Sequence, residues 1–423
     1  MLGRFAGLRS ATPHPVPRLC LVGAACRQEG HRVAVRSGAA LTHRASRVAA
    51  GALAAGLLAG CGAQSPAGSA GNVITISTGA CGQGWSHPVP GMQTLHVHNF
   101  GTANAEVDLI DPANGAVYAE VEALGPGTTQ PMRVDVGSGS YAFRCLIEDI
   151  DPVTGPVVRI GGHVSGDPAI LPVTSADLIT PAHEYHTYVT AGLKVLASQT
   201  RVLAADVKAG RLAAARAAWL PAHLTYERLG AAYGTFGDYD AKIDGRPDGL
   251  PGGVTDPGFT GFYRVEYGLW HGQNAAQLTG PASGLHRDVL GLQAAFPQME
   301  IDFLDIGLRT HEILENALQF QLTGHDDYGS GTTLATTAAN IAGTRELLQI
   351  LHPLLTARYR GLPSAYFWLN RLQNLISAQR SADGSWTPVS KLSTASRQQI
   401  DAAAGQALQE LAPIAVITEP RRT

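Results

Sequence analysis

Four places in the C-terminal two thirds of this chain set ionisable side chains inside otherwise apolar runs. The first is WLPAHLTYER (219–228), where Glu227 follows Tyr226. The second is FGDYD (236–240), which carries Asp238 and Asp240. In GFYRVEYGLW (261–270), Tyr263 and Glu266 stand three residues apart, and in HEILE (311–315) His311 and Glu315 stand four apart. On a helix both spacings put the two side chains on one face. Such a pair on the inner face of a bundle is a usual way to hold a metal between helices. Carboxylate, phenolate and imidazole donors suit iron, above all ferric iron, better than a thiolate site would. Each place also has a structural alternative. Glu227 and Glu266 would pair with Arg228 and Arg264, Asp238 and Asp240 would shape a turn, and His311 and Glu315 would decorate a solvated helix face.

The elements that must position these residues follow from hydrophobic period. From Ser175 onward, apolar residues recur at helical spacing over roughly 181–208, 210–234, 258–278, 284–324, 330–357, 363–379 and 392–415. Connections rich in Gly, Pro and Asp separate them, notably GRPDGLPGG at 245–253. Seven or eight helices with short connections predict one large bundle or two fused four-helix bundles, over 172–418. Residues 72–165 have another texture. ITIS (74–77), TLHVH (94–98), EVDLI (106–110), RVDV (133–136) and YAF (141–143) alternate, with turn residues between them. That pattern predicts an all-β sandwich. Within it His96 and His98 share a strand face by period-two alternation, as metal donors or as an ordinary polar face. A blue-copper centre is disfavoured, because no His and Met follow Cys145 at the required spacing.

The N-terminal segment predicts the compartment. The uncharged run 48–60 is too short to span a bilayer, which takes ~20 apolar residues, and fits a signal-peptide core behind Arg44 and Arg47. It ends in LAGC (58–61), which resembles the lipobox of bacterial lipoproteins. Residues 1–61 then read as a leader ending at Cys61, the lipidated cysteine, and 62–71 as a flexible tether. A diacyl anchor of this kind holds a protein stably at a membrane. Eight arginines against one glutamate give residues 1–60 a charge of +7, so a whole-chain charge of −3 leaves the remainder near −10. An acidic body argues against nucleic acid and against a polybasic membrane patch. Beyond the leader and Cys61, only Cys81 and Cys145 remain. In an oxidising compartment they form a disulfide or ligate a metal.

On these residues the chain resembles a known family. Tyr226-Glu227, FGDYDAKID (236–244) and GFYRVEYGLW look like the helical domain of EfeO-type iron-uptake proteins, which is shared with imelysins. The resemblance covers nearly all of 175–415. The family pattern in the third motif is G-x-H-x-x-E; Gly261 and Glu266 match, while Tyr263 stands at the histidine position. The resemblance implies Glu227, Asp240, Glu266 and Glu315 as metal ligands, with Tyr263 supplying a phenolate that would favour Fe(III). His311 joins them by its spacing to Glu315. Full-length members place a cupredoxin-like domain first, and Cys81, the Glu106/Asp108 pair and Cys145 look like its recurring positions, with Phe143 where a methionine is expected. A second metal site from Cys81, Glu106 and Cys145 is thereby implied, which a disulfide would abolish.

The expected protein is therefore a cupredoxin-like sandwich followed by an imelysin-like double four-helix bundle, lipid-anchored outside the cytoplasm. The family implies iron as cargo, with copper and zinc open, and a membrane iron permease and a haem peroxidase as partners. Two other classes stay in view. His311-Glu312-x-x-Glu315 is one residue from the H-E-x-x-H zinc helix of metallopeptidases; His183-Glu184-Tyr185-His186 has the wrong interval. Trp219, Tyr239 and Trp270 would serve as platforms for a carbohydrate or polyanion. No G-x-S-x-G motif supports a serine nucleophile.

Overall fold

A computed structural model of the chain describes residues 73–85 and 88–421. The leader, the LAGC junction with Cys61, and the tether lie outside the described residues. No helix among those described is long and apolar enough to cross a membrane.

The first described part is a sandwich of two sheets. One sheet has the order β2-β1-β3-β6, built from β1 (Val73–Ser77), β2 (Ala80–Gln83), β3 (Gly91–Asn99) and β6 (Thr129–Val136). The other runs β5-β4-β7-β8, from β4 (Ala105–Ile110), β5 (Val117–Leu124), β7 (Gly139–Ile147) and β8 (Val153–Thr154), with β9 (Val158–Ile160) also paired to β7. Alternation dictates the core. Leu95 and Val97 of β3 are fully buried while Thr94 and His96 between and before them are exposed. Cys81 on β2 and Cys145 on β7 are joined by a disulfide across the sandwich. Closing a loop over a separation of 64 residues stabilises the fold by about 4 kcal/mol in the loop-entropy account.

The helical part begins at α1 (Ser175–Lys208), where Thr174 and Asp177 form a reciprocal capping box. It continues through α2 (Leu212–Glu227), the short α3 (Tyr233–Phe236) and α4 (Asp238–Asp244), and α5 (Gly261–Trp270). Then follow α6 (Ala275–Ala295), α7 (Phe303–Asn316), α8 (Thr333–Arg358), α9 (Leu362–Ser377) and α10 (Thr394–Ile417). Helices α1, α2, α5 and α6 pack around one another, as do α7, α8, α9 and α10. The two four-helix groups meet through α2 on α8 and through α1 on α7 and α8. One continuous apolar core runs through both.

Two expected helices are split. The run 284–324 breaks after Ala295, where Phe296-Pro297-Gln298 form a 3-10 turn and Asp302 caps α7 anew. Pro297 has no N–H to continue the ladder. The run 258–278 breaks at Gly272, in the left-handed region at φ 73°, before Asn274 caps α6. Both breaks hide in the apolar period because the residues beyond them keep the helical spacing.

Candidate metal centre

Helix α2 ends in a turn that places His223 and Glu227 one above the other. His223 Nε2 lies 3.0 Å from Glu227 Oε1 and 3.3 Å from Asp244 Oδ1, at the end of α4. His223 and Glu227 are 1% and 2% exposed, so this imidazole–carboxylate pair is almost wholly buried. Trp219 and Phe262 flank the ring at 4.8 and 5.2 Å between centroids, and Tyr263 meets it edge-on at 5.3 Å. Trp219 is itself fixed, donating its indole N–H to Phe262 O at 3.0 Å. From the second bundle, Asn340 of α8 donates to Glu227 Oε2 at 3.0 Å.

These close approaches lack hydrogen-bond geometry. His223 Nε2 and Nδ1, Glu227 Oε1 and Asp244 Oδ1 are all buried without a hydrogen-bond partner. An unpaired buried polar group costs on the order of 1–3 kcal/mol, more when charged, so three converging on one point are a costly local arrangement. A cation among His223 Nε2, Glu227 Oε1 and Asp244 Oδ1 would satisfy those three together. The electrostatics agree. Burial alone would disfavour the imidazolium, but Asp244 and Glu227 outweigh it and push His223 up to about 10. Burial, then the neighbouring Glu227 charge, pushes the Asp244 carboxyl up to about 8. The cluster by itself holds protons where a metal ion would hold positive charge.

The cluster opens onto a cavity of about 320 Å3 between the two bundles, lined also by Asp240, Arg246, Tyr263, Asp326 and Asn340. Tyr263 is 2% exposed and donates to Asp326 Oδ2 at 3.4 Å. Burial, followed by repulsion from Asp244 and Glu227, holds its phenol well above the usual tyrosine range. Asp240 accepts from Tyr226 Oη at 2.6 Å, and burial raises its carboxyl. Asp326, raised by burial to about 6, also accepts from Gln321 Nε2 at 3.0 Å.

The remaining candidates are placed differently. Glu266 is 1% exposed and accepts from Ser330 N at 3.0 Å, while its Oε2 has no partner. Burial lifts it to about 7. It stands on the Tyr263 face of α5 but outside the cavity lining. Asp238 is exposed at the start of α4. His311 and Glu315 face each other at 3.8 Å with 26% and 42% of their side chains exposed, and neither reaches the cavity. Their α7 neighbours Arg309, Ile313 and Asn316 line it instead, which rotates the His311–Glu315 pair toward solvent. Glu312 is tied to Arg309 at 2.7 Å, so the H-E-x-x-E run converges on no cavity. Trp219 is core rather than an exposed platform.

Sequence reasoning passed over His223 and Asp244, although both stood inside quoted motifs. The i, i+4 spacing of His223 to Glu227 was the available signal for the first. Asp244 had none, since only the turn at Gly237 brings α4 back across α2.

In the sandwich, the disulfide takes both cysteines out of metal chemistry. Strand parity separates them from Glu106 as well. Val107 pairs with Cys145 on the core side, so Glu106 and Asp108 point to the opposite face. There they gather with Glu120; Asp108 is held by Arg144 at 2.7 Å, and Glu120 pairs with Arg421. His96 is exposed, and His98 Nδ1 meets Thr129 Oγ1 at 2.6 Å.

Comparison with known proteins bears on the helical part. Residues 181–414 match the family model described as imelysin. The chain is similar to the "Iron uptake system component EfeO" of Yersinia pestis, 29% identical over 284 residues, covering 67% of this chain and 73% of that protein. It is 27% identical over 291 residues to the protein of the same name from Escherichia coli strain K12, covering 67% and 75%.

Proposed function

As the chain belongs to the imelysin family, we propose that it is an iron-binding component of an uptake system, capturing iron outside the cytoplasm. The observation that carries this reading is the convergence of orphaned buried donors from His223, Glu227 and Asp244 on one point of an inter-bundle cavity. Tyr263 and Asp240 stand on the same cavity and are assigned as further oxygen donors, with Glu266 behind Tyr263 supporting the α5 end of the site. One nitrogen and several hard oxygens suit iron among the common first-row metals. Iron here is cargo, so the site must hold it without chemistry and release it. Lipid attachment at Cys61 and delivery to a membrane permease, with a haem peroxidase as a further component, complete the proposal. Iron uptake named for the relatives supports them.

The test is a ferric titration of the full chain followed by visible absorbance, for wild type, Tyr263→Phe and His223→Ala. Binding near one iron per chain is expected, with a phenolate-to-iron band absent in Tyr263→Phe. At least tenfold weaker binding is expected in His223→Ala. Absence of iron binding by the wild type sinks the reading. Unaltered absorbance in Tyr263→Phe removes the phenolate from the ligand set and leaves the carboxylates.

A further inference from the structure

The cavity is larger than its ion requires. At about 320 Å3 it reaches the range of small-molecule pockets, which begin at ~300 Å3; one water occupies roughly 30 Å3 of liquid. His223, Glu227, Asp244, Asp240 and Tyr263 offer a ferric ion five donors, one short of a six-coordinate shell. Arg246, two residues beyond Asp244, lines the same space. Its guanidinium carbon sits 3.6 Å from the Phe320 ring centroid, so the planar group is held by its face. Its two carboxylate neighbours, Asp326 and Asp248, stand at 3.6 and 3.8 Å, beyond hydrogen-bond length. Among the described residues this guanidinium makes no hydrogen bond, only these two long ion pairs, and its fork is suited to bidentate carboxylate recognition. Arg309, the other cation on the wall, is already committed to Glu312. Gln321 Oε1 and Asn340 Oδ1, also on the wall, are buried acceptors without a donor.

We propose that the cavity takes its ferric ion together with a small anion that carries both a carboxylate and an O–H, a hydroxycarboxylate or bicarbonate. The carboxylate completes the metal's coordination and lies in the Arg246 fork, while the O–H donates to Gln321 or Asn340. The anion is thereby held from two sides, by the ion and by the guanidinium. This rests on the iron-binding reading and deepens it: the substrate is a ferric–anion complex rather than a bare ion.

The test loads the full chain with Fe(II) under argon and admits air in the presence of 14C-citrate or 14C-bicarbonate. Iron and label are then counted after desalting. About one labelled anion per retained iron is expected, with none held by iron-free protein; which label stays identifies the source. Arg246→Lys and Arg246→Ala are expected to lose at least tenfold of the label, with unchanged circular dichroism. Iron retained by wild type with neither label overturns the proposal while leaving iron binding intact. Loss of iron itself from wild type overturns both readings.

Discussion

Glu227 is the residue that couples folding to binding. Its carboxylate is buried, accepts from Asn340 and stands 3.0 Å from His223 Nε2. Glu227→Gln keeps an acceptor for Asn340 and removes the anion facing His223. The variant is expected to melt no higher than wild type without metal, since a buried imidazolium loses a partner, and to lose most of its stabilisation by iron; differential scanning calorimetry reads both. The protons of the cluster give a second expectation. With Asp244 held up to about 8 and His223 to about 10, the folded metal-free site binds more protons than the unfolded chain. That contribution to stability is present at low pH and lost as pH rises, for Asp244 between its unfolded value of ~4 and about 8, and for His223 from ~6.5 to about 10. A cation must displace the same protons, so its affinity rises over that window. The melting-temperature increase produced by Fe(II) under argon is expected to grow from pH 6 to pH 8.5. An increase that stays flat would place the bound ion elsewhere.

At the level of elements, the site depends on how closely α5 approaches the end of α4. Gly261, the first residue of α5, has φ 80°, and a Cβ there would lie 2.3 Å from Ile243 O. Ile243 immediately precedes Asp244, so any side chain at 261 pushes Tyr263 and Asp244 apart. Gly261→Ala is expected to cost about 2 kcal/mol or more, since it combines strain with a backbone clash. Urea denaturation checks the stability, and weakened iron binding would accompany the loss. The G at the head of the third motif was visible in the sequence, but its reason was not: the carbonyl it must clear belongs to another helix. Pairs within one helix were legible in the same way only up to their face. Tyr263 and Glu266 do share one, yet Tyr263 reaches the cavity and Glu266 turns to the Ser330 backbone. For His311 and Glu315 the spacing gave a shared face but not which face α7 presents inward.

Across the whole molecule, the sandwich and the helical part are stitched by the segment between them and by the C-terminal residues. Arg358 donates to Leu171 O at 3.0 Å, Arg421 N donates to Val173 O at 2.7 Å, and the Arg421 side chain pairs with Glu120. Removing the disulfide as Cys81→Ala/Cys145→Ala is expected to cost the sandwich about 2–4 kcal/mol. Iron affinity should stay within a fewfold, because the site lies wholly on helical residues. Calorimetry and titration of the double variant decide this. A large loss of iron binding would mean that the sandwich contributes to the site.

Local pattern was enough to determine the classes of the two parts. Period-two alternation separated by turn residues specified the sandwich, and helical spacing specified the bundle, because each depends on which face of an element must leave water. The motifs carrying Glu227, Asp240, Tyr263 and Glu266 were legible for the same reason, as polar residues interrupting apolar faces. Tertiary structure alone decided which of them meet. It brought His223 and Asp244 into one cluster, set Asp326, Asn340 and Arg246 around it, turned His311 and Glu315 outward, and put Glu106 across a sheet from Cys145. Those outcomes depend on crossing and rotation between helices and on strand parity, and no interval along the chain encodes a distance between elements.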